Sequence, residues 1–470
     1  MANICVIGAG PAGNTFAARM VQLGHHVCLV ERSRFPRRHL GESLSPGVLP
    51  LLETIGAREA VDAAGFRRVR RVYVKWDSDL QVREDVREQG LLVDRGDFDR
   101  ILLERARALG VRVLQPAIVR ECQSDNGGWR VNVDADGSAV QIHVDFLADA
   151  SGRSAQIAGH VRRTGCRTLS LYAYWRGRDL PQEPRIEAGS DAWYWGVPLP
   201  EGAYNTLVFV DVKHFRAARS SSLTARFLDL LGRSGLMAAC SDVHLDTPVL
   251  AADATPYLDE DSVTPSTIKV GDAALAIDPI SSSGVQKAIQ SALAAAVVAN
   301  TLLLKPASRD NAMRFYKASL ADASERHCRW AAGHYGSVAA RIGGKFWEDR
   351  ASHPESSPPS VDTPHAPVDA RALSAARVEL SRQLEFVELP CIDGDFVTVK
   401  PALRHPNLVS PAAYLGGWEL APLLQRLPAG STPLQIARSW SDRIPLQSGL
   451  AIAGWLLNNG ILVEVVSCAS

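Results

Sequence analysis

Asn3-Ile4-Cys5-Val6-Ile7-Gly8-Ala9-Gly10-Pro11-Ala12-Gly13 is the stretch that decides the fold. Asn3–Ile7 is almost continuously apolar, as a strand buried on both faces must be. It runs into Gly8-x-Gly10-x-x-Gly13. Residues 14–24 then read as a helix with Gly24 as its cap. His26–Val30 reads as the next strand and ends at Glu31. Strand, glycine turn, helix and strand make one βαβ unit. In such a unit Gly8 permits the tight turn, Gly10 lets the backbone approach a pyrophosphate, and Gly13 lets the helix lie close to the strand. The helix N-terminus faces the phosphates, and Glu31 accepts from the ribose hydroxyls. The motif predicts a dinucleotide site and leaves FAD and NAD unseparated.

Composition narrows the classes around that site. A chain of 470 residues suits two or three domains. Apolar residues at 46% and charged residues at 22% fit a folded globular protein. Lys+Arg and Asp+Glu are both 51, so no net field favours nucleic acid or acidic membranes. The eight cysteines stand singly, without metal-ligand spacing. No metal is expected, and the thiols read as reduced in a cytoplasmic protein. The N-terminus does not read as a signal peptide, and no run of about 18 apolar residues predicts a membrane span.

Further along, Phe98–Leu109 reads as an amphipathic helix. Val111–Leu114, Ala117–Glu121, Trp129–Val133 and Phe146–Asp149 read as strands. Residues 166–250 carry strand-like segments with one helical stretch near 222–231, which predicts an antiparallel substrate-binding sheet. The dinucleotide-binding domain is then discontinuous, 1–165 and 251–350. Residues 351–368, rich in Ser, Pro and His, read as a linker. A module at 369–470 follows. Its order is two strands, helices at Gly417–Leu427, Pro433–Trp440 and Leu450–Asn458, and a strand at Ile461–Val466, which is winged-helix-like. From residue 371 onward it holds 8 basic and 8 acidic residues. A DNA reader would be basic, so a docking module for a polypeptide fits better.

Two distant segments separate FAD from NAD. Gly271-Asp272 follows an apolar strand and leads to Asp278-Pro279 and Ser282-Ser283-Gly284 at a helix start. Asp272 can bind the ribityl chain of a flavin, and the helix start can aim N–H groups at the flavin pyrimidine. Arg95 stands just before a helix as a second flavin contact. Its plainer reading is a surface ion pair with Asp97 or Asp99.

On these residues the chain resembles the FAD-dependent aromatic hydroxylase superfamily with a glutathione-reductase-type, Rossmann-like α/β domain. The motifs are Val6–Gly13, Leu29–Arg32, Val93–Ala106, Asp149–Arg153 and Gly271–Gly284. Gly41-Glu42-Ser43 and Ala192-Trp193-Tyr194-Trp195-Gly196-Val197-Pro198 resemble one branch of it. That branch holds the flavin-dependent halogenases, the geranylgeranyl reductases and the monooxygenases of tryptophylquinone biogenesis.

The resemblance implies FAD bound through Gly8, Gly10, Gly13, Glu31, Arg95, Asp272, Pro279 and Gly284, with Glu42 and Ser283 as catalytic candidates. Halogenases of this branch carry a lysine on the strand after the Gly-Glu-Ser loop, several residues ahead of a tryptophan. Here Arg68 or Val69 stands there, and Lys75 is adjacent to Trp76. Arginine stays protonated and does not replace that lysine. Ser281 stands where the tryptophan halogenases carry a glutamate. The expectation is therefore oxygen insertion into an electron-rich ring, most simply a tryptophan side chain of a polypeptide in tryptophylquinone biogenesis. The alternative is halogenation of an aromatic small molecule. The implied partners are that polypeptide, molecular oxygen, and an electron donor, either NAD(P)H or a reductase.

Overall fold

Asn3–Ile7 is the middle strand of a five-stranded parallel sheet. Across the sheet the order is Thr267–Lys269, Phe146–Asp149, Asn3–Ile7, His26–Val30, Arg112–Leu114. The structure is a computed structural model. It describes residues 1–37, 39, 41–84, 90–125, 127–217, 222–238, 240, 243–352, 377–425, 427 and 430–465. The helix after the first strand is Pro11–Gln22. It starts three residues earlier than the sequence reading, because Pro11 has the right φ for a first turn and its missing N–H has no partner to lose there. It packs against the helices Arg95–Ala108 and Gly284–Leu304.

Gly284–Leu304 is long and apolar enough, by length and composition, to cross a membrane. Of its most apolar window 61% is buried, as in the core helix of a folded domain. Beside the parallel sheet lies an antiparallel meander of Ala117–Asp125, Gly128–Ala135 and Ser138–Val144.

The second large sheet has eight strands. Its path runs His244–Leu245, Thr168–Arg176, Ala203–Asp211, Ala192–Pro198, Arg185–Ala188, Arg71–Lys75, Gln81–Glu84, with Leu250–Asp253 also on Thr168–Arg176. Two features differ from the expected sheet at 166–250. It takes strands from before residue 166, and Arg185–Ala188 pairs with Arg71–Lys75 in parallel, so the sheet is mixed. The single strand expected after the Gly-Glu-Ser loop, carrying Arg68, Val69 and Lys75, divides: Arg67–Arg68 joins a small sheet with Leu91–Leu92 and Ser43–Leu44. An Arg/Val alternation defines a two-faced strand without encoding its partner.

Alternation gives this sheet two apolar faces. Trp175, Tyr194 and Val208 pack with Phe227 and Leu231 of helix Leu223–Leu231. Trp193, Leu207 and Phe209 pack on the other face with Trp76, Tyr335 and Trp347.

Near the parallel sheet, Lys269 Nζ lies 2.6 Å from Asp259 Oδ2, each side chain 1% exposed. Lys269 Nζ also donates to Ala158 O at 3.1 Å. Removing either partner leaves a buried charge alone. Lys269→Met is expected to cost about 3–5 kcal/mol of stability. The double change Lys269→Met/Asp259→Leu should recover most of it. Denaturant unfolding measures both, and equal losses for the single and double variants contradict the argument.

The chain divides into two compact units, Met1–Arg309 with Tyr316–Pro358, and Asp310–Phe315 with Pro359–Ser470. The expected linker falls almost wholly outside the described residues. At its start, Ala351 instead closes the helix Lys345–Ala351. In the second unit Glu385–Asp393 and Phe396–Arg404 form a hairpin. The helix expected at Gly417–Leu427 is shorter. Gly416 and Gly417 have φ of +57° and +84°. Trp418–Glu419 turns back to pair with Tyr414–Leu415, and only Ala421–Leu424 is helical. Pro433–Ser439, with a Thr432 capping box, and Leu446–Asn458 follow. Val378–Leu380 closes the unit against Leu462–Glu464. Its core gathers Leu403, Leu420, Leu424, Ile436, Trp440 and Leu456.

Candidate active site

The first unit encloses a cavity of about 650 Å³ between the glycine turn and the aromatic face of the mixed sheet. At one end the three glycines have separate geometries. Gly8 has φ +99°, and a Cβ there would sit 2.6 Å from Ala150 O. Gly13 faces the Gly8 carbonyl so closely that a Cβ would collide with it. Gly10 has nothing within 4 Å of its Cβ position, and it lines the cavity. Buried Glu31 accepts from Ala9 N and Ser33 N, both at 2.8 Å. A carboxylate offers about four acceptor positions, so two remain for hydroxyls.

In the middle, Arg95 is the first residue of its helix, which Asp94 caps by accepting from Asp97 N at 3.1 Å. Arg95 forms an ion pair with Asp99 at 3.0 Å, but a buried one, and it also lines the cavity. The ion pair read for Arg95 is thus with Asp99 and buried rather than on the surface.

Asp272, Pro279 and Gly284 line the cavity as well. Lys287 Nζ lies 2.8 Å from Asp272 Oδ1, and Arg153 3.9 Å from its other oxygen. Burial pushes the Asp272 carboxyl up, and these two cations overcome it, so it titrates below its ordinary range. Ser283 is not among the lining residues. Its N–H donates to Ser281 Oγ and its hydroxyl to Ser281 O. Ser282 lines the cavity in its place, in a left-handed conformation with φ +51°.

The far end is a chamber of Glu42, Ser170, Tyr172, Ile186, Trp193, Trp195, Leu207 and Phe209. Trp193 and Phe209 stack with ring centroids 3.7 Å apart. Glu42 is buried in the wall. Its Oε1 accepts from Tyr174 Oη at 2.8 Å and Asn205 Nδ2 at 2.9 Å, and its Oε2 from Gly41 N at 2.9 Å. Burial outweighs these donors and raises the carboxyl above its usual range. Sequence reasoning missed Tyr172, Tyr174 and Asn205. Part of the signal was there, since Ser170, Tyr172 and Tyr174 share one face at period two; the pairing that sets Tyr174 opposite Asn205 was not.

None of the lining residues is a lysine, and all eight lysines are among the described residues. Lys75 lies on the face opposite Val74 and Trp76. Its Nζ is 2.9 Å from Glu187, which also accepts from Ser234, Gly235 and Leu236. Among the described residues no cluster of His, Cys, Asp and Glu is arranged to hold a metal.

The donor set fits a flavin dinucleotide. Two helix N-termini, at Pro11 and Gly284, open on one cavity. Gly10 leaves room for phosphate. Arg37, also in the lining, has a buried Nε without a partner.

Fold and site together define a flavin-dependent oxidoreductase whose cofactor is FAD. The family model of the tryptophan halogenases matches residues 73–364, and the chain belongs to that family. Among curated relatives, the tryptophan 2-halogenase of Chondromyces crocatus is 30% identical over 373 residues, covering 73% of this chain and 69% of that enzyme. Among solved structures, CmlS, a flavin-dependent halogenase, superposes with a TM-score of 0.80 at 20% identity, covering 99% of this chain and 96% of that one. The peptidyl tryptophan dihydroxylase QhpG, essential for tryptophylquinone cofactor biogenesis, superposes with a TM-score of 0.75 at 28% identity, covering 97% and 99%.

Proposed function

We propose that the protein is an FAD-dependent monooxygenase that inserts oxygen into a tryptophan ring of a polypeptide during tryptophylquinone biogenesis. The observation that carries this reading is the lysine-free cavity, with Lys75 held by Glu187 on the opposite face. The 28% identity to the peptidyl tryptophan dihydroxylase over nearly both whole chains supports it.

When bound and reduced, FAD supplies two electrons and activates dioxygen. One oxygen atom enters a ring C–H bond and the other leaves as water. The donor is NAD(P)H or a partner reductase. Gly8, Gly10, Gly13 and Glu31 hold the adenosine and pyrophosphate end. Arg95, Asp272, Pro279 and the amide end of helix Gly284–Leu304 hold the flavin end. Trp193, Phe209 and Tyr172 orient the substrate ring and exclude water. Glu42 takes the proton that the ring carbon releases. The seven described cysteines are all free, which supports a reducing compartment such as the cytoplasm.

We assign residues 1–165 and 251–350 to FAD, with the mixed sheet as the substrate wall. The second unit, which we read as winged-helix-like, serves as the docking module for the polypeptide. Its benefit is effective concentration: a held substrate presents its ring far more often than a free one.

A second reading, halogenation of an aromatic small molecule, is favoured by the identity to the tryptophan 2-halogenase. One experiment separates the two. Reduced enzyme is mixed with a tryptophan-bearing polypeptide from a tryptophylquinone enzyme, dioxygen and excess bromide, and the product is weighed by mass spectrometry. Addition of one or two oxygens is expected. Bromine isotope pairs overturn the reading. A chain ending at Ser352 is expected to keep FAD and lose most modification of the polypeptide. The cut belongs there because Trp347 and Arg350, just upstream, are buried.

A further inference from the structure

A second, smaller cavity of about 200 Å³ lies in the first unit, and Ile277 and Asp278 line both cavities. Its lining is divided in character. Pro256, Ala276, Ala331 and Ala332 are apolar, and Arg350 stands among them. Asp349 and Ser352, also in the lining, are exposed and open it to solvent.

Arg350 is 7% exposed. It lies over the Phe346 ring at 3.7 Å. Its Nη1 donates to Phe346 O at 3.1 Å and its Nη2 to Thr168 Oγ1 at 3.0 Å. A guanidinium carries five N–H donors. The Arg350 Nε is buried without a partner. Among the described residues no carboxylate lies within ion-pair distance of Arg350. A buried cation is costly to leave without a counter-charge.

None of the groups around it supplies one at ion-pair distance, and the nearest influence is the longer-range attraction between Arg350 and the Asp278 carboxyl. Asp349 is paired with Lys345 at 2.7 Å. Asp278 accepts from Tyr335 Oη at 2.8 Å and Ile280 N at 3.1 Å, and burial raises its carboxyl, with Arg350 and Arg153 opposing. His327 donates to or accepts at the Asp278 backbone oxygen at 3.1 Å according to its tautomer. Burial drives it down to about 4, so it is neutral at pH 7. Burial also raises the thiols of Cys166 and Cys328, which stay uncharged.

We propose that this cavity binds a short monocarboxylate, with Arg350 as its counter-charge and the alanine-lined wall as the seat of its alkyl end. The planar fork of arginine matches a carboxylate better than a spherical ion. The volume suits two to about four carbons, below the range of drug-sized pockets. This inference is independent of the reaction proposed for the main cavity.

The test is thermal unfolding of the FAD-loaded full chain in acetate or propionate against chloride, with ionic strength held constant by HEPES. A saturable rise in Tm with the carboxylates, and none of that size with chloride, is expected. Arg350→Met should abolish it and Arg350→Lys should keep part of it. Saturation-transfer NMR of acetate on the wild-type protein provides a readout that needs no variant. Equal shifts with acetate and chloride, an acetate shift that survives Arg350→Met, or no saturation transfer overturns the proposal.

Discussion

Replacing Gly13 with valine or Glu31 with alanine should give colourless protein. At Gly13 the first side-chain carbon already meets the Gly8 carbonyl, and Ala150 Cβ closes the other side at 3.1 Å. Both obstacles are fixed by the strands Asn3–Ile7 and Phe146–Asp149, so the helix must move and carry its N-terminus away from the phosphates. At Glu31 the loss is chemical. Ala9 N and Ser33 N lose their acceptor, and the ribose loses its partner. Hydrogen bonds to a charged group contribute about 1.5–3 kcal/mol each. Two such losses lower FAD affinity about 100-fold or more. Flavin absorbance after gel filtration, with circular dichroism to verify folding, measures the effect. A folded double variant with full flavin content places the nucleotide elsewhere.

Glu42→Gln should lower turnover about 10²–10⁴-fold, the range for losing a positioned base, while FAD content is unchanged. The amide keeps the shape but presents its N–H either toward Tyr174 and Asn205 together or toward Gly41 N, all of them donors to the carboxylate. The sign of the pH effect follows from burial, which raises the Glu42 pKa. A base must be ionised, so wild-type turnover falls as pH drops through that raised value. The fall comes at higher pH than an exposed glutamate would give, and the glutamine variant lacks this limb. Stability runs the other way. A carboxyl raised in the folded state contributes stability at low pH that is lost as pH rises through its folded pKa. The variant should lose that slope too. An unchanged pH–rate limb in Glu42→Gln removes Glu42 from the chemistry.

The βαβ unit was legible because its signals are local. A continuous apolar run, a glycine turn and an acid at the next strand end all lie within 31 residues of the N-terminus. Asp272, Pro279 and Gly284 were readable for a similar reason, since they follow an apolar strand and open a helix. The wall of the chamber was less so. Tyr174 and Asn205 meet Glu42 only through strand pairing, and pairing is a non-local fact. The parallel contact of Arg71–Lys75 with Arg185–Ala188 was hidden for the same reason. The helix expected at Gly417 failed on turn chemistry: Gly416-Gly417 supports a tight reversal, and Pro422 belongs in a first turn. At the start of helix Gly284–Leu304 the resolution of the sequence reading was one residue: Ser282, in the left-handed conformation, lines the cavity, and Ser283 stands beside it.

The order of the parallel sheet bears on how the protein emerges from the ribosome. Phe146–Asp149 needs Thr267–Lys269 beside it, more than a hundred residues later in the chain. The helix that closes the cofactor cavity begins only at Gly284. A nascent chain is therefore committed to its first strand, turn and helix long before either neighbour exists. Such distant pairings fold slowly and leave apolar surface uncovered meanwhile. Cofactor capture thus belongs to the last part of synthesis of this unit. Fragments ending before residue 284 should collect in aggregates however much flavin the cell supplies.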